Sequence, residues 1–415
     1  MVPKLRFKNF VLPWKTTTIN GKVDIISGFP FEGKHITDNA SGTRLMRGVN
    51  VSEGIVRHTK DIDRYYPLSA ENHLRYMLKS GDIVIGMDGS KVGRNSARIN
   101  NNDVGSLLVQ RVARIRDIGI LNTSYLFQLL NSTYFYDYVD RVKTSSGIPH
   151  ISLKQINEFQ IGMPSMEEQI RIADFLSSVD EKITLLNKQY NLLCQYKKGM
   201  MQNIFSQELR FKDDNGKPFT KWNTLKLKDV ATRVTRKNKE NNNTILTISG
   251  RDGLVDQMTY FNKQIASKNV TGYYLIREGE FAYNKSYSQG YPMGAIKMLS
   301  NYEKGVVSTL YICFKLNDEQ SCDFYQHYFE SGLQNRAIEK VAQEGARNHG
   351  LLNIGVNDFF DIELQVPSLA EQNKIAHFLS AIEDKIAIKR AELDMLKKWK
   401  QGLLQQMLGK VRTSS

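Results

Sequence analysis

Gly86-Met87-Asp88-Gly89-Ser90-Lys91 brings two glycines, a carboxylate and a lysine into six residues. A phosphate-cradling loop has that composition, but it needs four residues between its glycines, and here there are two. Asp180-Glu181-Lys182 and Glu383-Asp384-Lys385 carry the acid-x-lysine spacing of a nuclease fragment. Both fall inside helical patterns, where a solvated helix face accounts for them. The seven histidines are scattered, without the H-x-x-x-H or Cys/His spacing of a zinc site. The nine prolines never adjoin, so the N-P-P-Y motif of an amino-methyltransferase is excluded. No G-x-G-x-x-G follows a strand. The expectation is a chain with no catalytic residues, no metal and no cofactor of its own.

The elements that must carry any function are organised by a repeat. One copy begins Pro164-Ser165-Met166-Glu167-Glu168-Gln169, the other Pro367-Ser368-Leu369-Ala370-Glu371-Gln372. The register holds without a gap to Gly199/Gly402 and Gln202/Gln405, with roughly a third of positions identical. Each copy opens with S-x-x-E, Ser165 with Glu168 and Ser368 with Glu371. That spacing predicts a capping box, the hydroxyl accepting from an orphan amide and the glutamate reaching back. Apolar residues then recur at alternating three and four: Ile172, Leu176, Val179, Ile183 and Leu186 in the first copy, Ile375, Leu379, Ile382 and Ile386 in the second. This 3.5 repeat predicts coiled-coil helices of about 40 residues, each roughly 60 Å long. Lys197, Lys400 and Lys389 break the seam, and Ser177-Ser178 is the expected position of any kink.

The repeat unit is a whole half of the chain. Leu5-Arg6-Phe7-Lys8 and a following Trp14 open the first half, and Leu209-Arg210-Phe211-Lys212 and Trp222 open the second. Between each opening and its helix lies a mixed segment. In the first, 83–85 and 107–112 read as strands, 121–142 as one aromatic amphipathic helix, 144–150 as a polar loop and 151–163 as strand. In the second, Gly279-Glu280-Phe281 matches Gly81-Asp82-Ile83, 306–314 reads as strand, 324–341 as the aromatic helix and 343–350 as the polar loop. Away from these anchors the two mixed segments diverge, which suggests one job done twice on two targets.

Composition narrows the target. Lys plus Arg is 57 against 43 Asp plus Glu, a formal charge of +14 and a pI near 9.4. Such an excess points to a polyanion. There is no apolar run of 18 residues, so no membrane span is expected. The start of the chain lacks a signal-peptide core. Three cysteines, Cys194, Cys313 and Cys322, make no even framework and no C-x-x-C, as in a reduced, cytoplasmic protein. The 415 residues, 41% hydrophobic, suffice for two or three domains with proper cores.

Two divergent mixed segments alternating with two P-S-x-x-E-Q helices in a basic chain resemble the specificity subunit of a type I restriction-modification system, over essentially the full length. The resemblance implies an α+β fold with a pseudo-twofold repeat: target recognition domains at 1–163 and 209–366, antiparallel spacer helices at 164–208 and 367–410 holding them apart, and a disordered tail at 411–415. It implies that each domain reads half of a split, asymmetric site in double-stranded DNA. It implies two modification subunits docked on the helices, methylating adenine with S-adenosylmethionine, and restriction subunits that cleave.

Bases are read by donors and acceptors at their edges, whereas phosphate contacts only position the protein. The candidate readers are therefore polar residues of glycine-marked loops. In the first domain they are Ser90, Lys91, Arg94, Asn95, Arg98, Thr144, Ser145, Ser146 and His150, with Thr43, Arg44 and Arg47 as weaker candidates. In the second they are Asn284, Lys285, Ser286, Tyr287, Gln289, Tyr291, Arg347, Asn348 and His349. Tyr287 and Tyr291 would also suit the neighbours of a flipped adenine. Two alternatives stay open: a stand-alone nucleic-acid binder without a methylase, and a scaffold whose basic domains bind RNA.

Overall fold

The computed structural model describes residues 3–67, 70–144, 147–250, 252–261, 270–342 and 352–408. The chain forms two compact units. Unit 1 takes the residues up to Asn187 and those from Ala391 on, and unit 2 is Lys188–Arg390.

Unit 1 contains β1 (Lys15–Thr18), β2 (Val23–Ser27), β3 (Thr43–Met46), β4 (Tyr65–Tyr66), β5 (Ile83–Gly86), β6 (Ser96–Arg98), β7 (Leu107–Leu108), β8 (Val112–Asp117), α1 (Thr123–Leu130), α2 (Thr133–Val142), α3 (Leu153–Asn157) and β9 (Gln160–Met163), then the start of α4 (Met166–Phe205). The sheet order is β2-β8-β5-β6, all antiparallel, beside a β1-β9 pair and a β4-β3-β7 sheet. Unit 2 contains β10 (Asn223–Lys226), α5 (Leu227–Val230), β11 (Ala231–Val234), β12 (Leu246–Ser249), β13 (Gly253–Asp256), α6 (Gln257–Phe261), β14 (Tyr274–Arg277), β15 (Phe281–Asn284), β16 (Ala295–Met298), β17 (Lys304–Val307), β18 (Ile312–Leu316), α7 (Cys322–Ser331), α8 (Asn335–Val341), α9 (Val356–Phe360) and β19 (Glu363–Val366), then the start of α10 (Leu369–Met407). Its main sheet, β11-β18-β15-β16, repeats β2-β8-β5-β6, and β10-β19 repeats β1-β9. The small sheets differ: β12-β13 and β14-β17 stand where unit 1 has β4-β3-β7.

The same turn feeds both central strands. Gly81 and Gly279 have φ of 86° and 79°, a conformation that suits glycine. The next residue folds its carboxylate back. Asp82 accepts from Lys79 N at 2.7 Å and from two nitrogens of Arg116 at 2.7 Å each. Glu280 accepts from Arg277 N at 2.9 Å and from Arg236 Nη2 at 2.9 Å.

The long helices are shared between the units. In unit 1 the beginning of α4 lies against the end of α10, so Leu403, Leu404 and Met407 join Ile172, Leu176 and Val179 in one core. In unit 2 Met201, Ile204 and Phe205 of α4 join Ile375 and Leu379 of α10. The two helices are therefore antiparallel within each unit. Each fully buried Leu or Ile contributes about 1.5–3 kcal/mol. α4 is helical through Ser177 and Ser178, and Ser178 Oγ turns back to Phe175 O at 2.7 Å. Lys400 and Lys197, which interrupt the heptads, form bridges: Lys400 Nζ meets Asp180 Oδ1 at 2.5 Å, and Lys197 bonds Glu383. The two acid-x-lysine fragments thus differ from the solvated faces expected of them, since their first acids point at the opposite helix.

Each acid of these bridges also faces the aromatic helix. Gln128 Nε2 donates to Asp180 Oδ2 at 2.9 Å in unit 1. In unit 2 the same place holds His327, buried, with Nε2 3.2 Å from Ser380 Oγ and Nδ1 3.8 Å from Glu383 Oε1. Burial lowers the His327 pKa from its ordinary 6.5, against the opposing pull of Glu383, while Lys197 lowers it further and Asp323 and Glu330 raise it. The unfolded chain then binds a proton at a pH where the folded chain does not. This contribution to stability is present above pH 6.5 and is lost as pH falls toward the folded value. Acidification from pH 7.5 to 5.5 should destabilise unit 2, and His327→Gln, which copies unit 1, should flatten that slope. Thermal melts of both chains across the range check it, and identical slopes would contradict it.

The P-S-x-x-E-Q stretch does more than cap. Glu168 N does donate to Ser165 Oγ (3.3 Å), and Glu371 N to Ser368 Oγ (3.4 Å). The carboxylates do not return to the cap as expected. Buried Glu168 accepts Arg6 Nε at 2.7 Å, Arg6 Nη2 at 2.8 Å and Trp14 Nε1 at 3.1 Å. Glu371 accepts Arg210 Nε at 2.7 Å, Arg210 Nη2 at 2.8 Å and Trp222 Nε1 at 3.1 Å. The neighbouring glutamines hold the aromatic helices: Gln169 Oε1 accepts from Asn122 N and Gln372 Oε1 from Ser321 N, each at 2.9 Å. Asn122 and Ser321 are the N-caps of α1 and α7. One hexapeptide thereby ties the opening segment, the long helix and the aromatic helix together.

Five expected elements are interrupted, four of them where turn chemistry competes. The 121–142 helix is two, α1 and α2, because Asn131 Nδ2 bonds Phe127 O at 2.8 Å and Ser132 Oγ bonds Leu129 O at 2.6 Å. The 324–341 helix breaks at Gly332, φ 77°. The 107–112 and 306–314 strands each contain a turn, at 109–111 and 308–311, and 151–163 holds the short α3 before β9.

Candidate nucleic-acid interface

In unit 1 three connections meet at one end of the β5-β8 pair. The loop after β5 is tied to the segment after the polar loop by Ile151 N→Met87 O at 2.9 Å, Gly89 N→Pro149 O at 3.0 Å and a bridge between Asp88 and His150. It is tied to the turn before β8 by Met87 N→Arg111 O at 2.9 Å. Ser90 and Lys91 are exposed on this rim, and Lys91 pairs with Glu53 at 3.2 Å. Thr144 Oγ1 lies 2.8 Å from His150 Nδ1 and accepts from His150 N at 3.0 Å, which closes the base of the polar loop. Ser145 and Ser146 lie outside the described residues.

Arg94 and Asn95 have a second role in the same loop. Arg94 Nη2 bonds Asp140 Oδ2 at 2.9 Å and its guanidinium sits 5.3 Å over the Tyr136 ring, so it anchors the loop to α2. The Asp140 hydrogen bond raises the Arg94 pKa, and Lys143, then Arg94, lower that of Asp140. Asn95 O accepts from Gly86 N at 2.8 Å, closing the loop. Arg98, exposed at the far end of β6 opposite Ile83, is not brought to this rim. Arg44 on β3 donates to Asn102 O at 3.0 Å, away from it as well. Arg47 donates to Ile62 O at 3.4 Å, but its turn borders the rim, since a Cβ on Gly48 would stand 3.9 Å from Asp88 Oδ1.

Unit 2 repeats the arrangement. Leu352 N→Lys285 O at 3.0 Å matches Ile151 N→Met87 O, so Leu352 stands beside the loop after the central strand. That polar loop, with Arg347, Asn348 and His349, lies outside the described residues. Asn284 Oδ1 accepts from Ser286 N at 3.1 Å, and its Nδ2 reaches Tyr311 Oη at 3.5 Å. Tyr287 and Gln289 project at the tip, Tyr287 being 63% exposed. Tyr291 is a strut: its hydroxyl lies 2.7 Å from both Gly250 O and Glu330 Oε1, with one proton to share between them, and accepts from Lys297 at 2.8 Å. Burial, with Glu330 nearby, raises its pKa. Sequence reading missed Arg111 and Leu310 in the turns of the rim, because both lie inside stretches read as strand.

No group of His, Cys, Asp and Glu that could hold a metal occurs among the described residues, and no described helix is long and apolar enough to cross a membrane. The arrangement offers hydrogen-bond donors and cations on short connections tied to one another.

The family model for the type I restriction modification DNA specificity domain matches the chain twice, at residues 14–195 and 201–398. The chain belongs to this family. The two matches coincide with the two repeats, and DNA sequence recognition is the role of the specificity-domain family. Over 186 residues the chain is 31% identical to the EcoAI type I restriction enzyme specificity subunit of Escherichia coli, a match covering 44% of this chain and 30% of that one. It is 23% identical over 405 residues to the MjaVIII specificity subunit of Methanocaldococcus jannaschii, covering 86% and 88%. The fold is similar to the S subunit of a type I restriction-modification system from M. genitalium, with a TM-score of 0.59, 15% identity and 99% of both chains covered.

Proposed function

We propose that each unit reads one half of a bipartite, asymmetric site in double-stranded DNA, and that the chain directs adenine methylation and restriction by partner subunits without catalysing either. The observation that carries this reading is the duplicated frame with divergent rims: equivalent locks and the same main-sheet order, different small sheets and loops. The chemistry then belongs to the partners. S-adenosylmethionine is the cofactor of the modification subunit, and the chain works in the cytoplasm with the DNA.

Two modification subunits fit a repeated apolar surface. Asp180 opposite Lys400 puts Leu185 level with Met395, and Trp399 one turn away, all exposed in unit 1. Lys197 opposite Glu383 puts Leu192 level with Ile388, with Tyr196 one turn away, all exposed in unit 2. The residues correspond position by position in the repeat (Leu185/Ile388, Leu192/Met395, Tyr196/Trp399). Exposed apolar residues clustered in this way mark protein interfaces, and two alike suit two copies of one partner. Restriction subunits would join that complex.

Single-molecule mapping of methylated adenines tests the reading. DNA from cells expressing the chain with its modification partner should show one bipartite motif, and DNA from cells with either protein alone should show none. The purified complex should contain two modification subunits per chain. Methyl transfer by the pure chain, at a rate beyond contamination, would contradict it.

A further inference from the structure

We infer that Arg111, in the turn between β7 and β8, is a base-reading residue of unit 1 that takes the O6/N7 edge of a guanine. This rests on the half-site reading above and deepens it.

Three non-glycine residues have positive φ among the described residues: Arg111 (65°), Gln207 (62°) and Asn241 (52°). Asparagine tolerates this region through its short polar side chain. Gln207 lies just past the end of α4, donating to Ile204 O at 3.0 Å, where helices commonly end in this conformation. Arg111 has neither reason. It occupies the third position of a turn closed by Val112 N→Val109 O at 3.2 Å, a place that favours glycine or asparagine. A long cation kept where glycine would be more comfortable is strain held for another purpose.

Its surroundings indicate the purpose. The backbone of Arg111 is tied to the loop after β5 through Met87, and that loop is tied to the polar loop through Gly89 and Ile151. The side chain is 65% exposed, and among the described residues its partner is Asp88 Oδ2, at 3.4 Å. Asp88 belongs to the same rim, so the guanidinium is oriented without being enclosed. A planar fork with N–H groups to spare matches the two acceptors of guanine in the major groove.

The other unit presents a side chain at the same place. Ile115 pairs with Ile83 as Phe314 pairs with Phe281. Four residues earlier stand Arg111 and Leu310, and Leu310 is 66% exposed. One position thus projects in both units, with a cation in one and an apolar group in the other. That difference suits two unlike half-sites, since an apolar side chain meets the methyl group of thymine.

Arg111→Gly separates reading from folding. Glycine relieves the positive φ, so the melting temperature should hold or rise. Arg111→Lys keeps the charge and loses the fork. Both variants, expressed with the modification partner, should methylate a motif in which one guanine of the first half-site is relaxed, and binding of full-length complex to the cognate duplex should fall about tenfold or more. The second half-site should stay unchanged. An unaltered motif in both variants, or equal losses on cognate and random duplex, would overturn the assignment of Arg111 while the wild-type bipartite motif upheld the half-site reading. A wild-type map without a bipartite motif would remove that reading and this one with it.

Discussion

Replacing Glu168 with alanine is expected to destabilise unit 1 by about 3–5 kcal/mol, because it strands a cation and an indole N–H that were buried against it. Glu168 takes three donated bonds, two from Arg6 and one from Trp14, and is itself almost without solvent exposure. The whole stability of a domain is about 5–15 kcal/mol, so the loss approaches the total. At 2–4 °C per kcal/mol for a unit of this size, the melting temperature should drop by roughly 6–20 °C. Glu371→Ala should do the same to unit 2 through Arg210 and Trp222. Removing both partners is gentler, so Arg6→Met with Glu168→Leu should recover much of the loss. Calorimetry of the four chains reads this out, and a loss below about 1 kcal/mol for Glu168→Ala would show that the lock is a surface bridge.

How far the fold can be read from the residues follows from the range of each interaction. The repeat, the two long helices and the serine caps depend on neighbours three or four positions away, and they stand as expected. The role of Glu168 does not, because its partners lie 162 and 154 residues upstream. A signal was present: an arginine and a tryptophan precede both copies of the hexapeptide, and a pair repeated at such distance implies a contact. Lys197 and Lys400 looked like faults in a seam because the acids they meet are on the opposite helix. The aromatic helices are shorter than their apolar pattern implies because Asn131, Ser132 and Gly332 form turns inside that pattern. The rims were legible in kind. Glycine and polar residues marked the loops after β5 and β15, but nothing local distinguishes Tyr287, which projects, from Tyr291, whose hydroxyl is spent on Gly250 and Glu330. Arg111 was hidden by the apolar residues on either side of its turn.

Two copies of one frame are expected to read two different half-sites independently. Each unit has its own lock, its own β2-β8-β5-β6 or β11-β18-β15-β16 sheet and its own core, so one reading domain can be exchanged without disturbing the frame of the other. The direct measurement is to replace residues 1–163 with the corresponding segment of a family member that keeps the arginine and tryptophan facing Glu168, and to map methylated adenines in cells expressing the hybrid with the modification partner. The expected map has a new sequence in one half-site and the original sequence in the other. A map in which both half-sites change, or in which neither does, would contradict the claim.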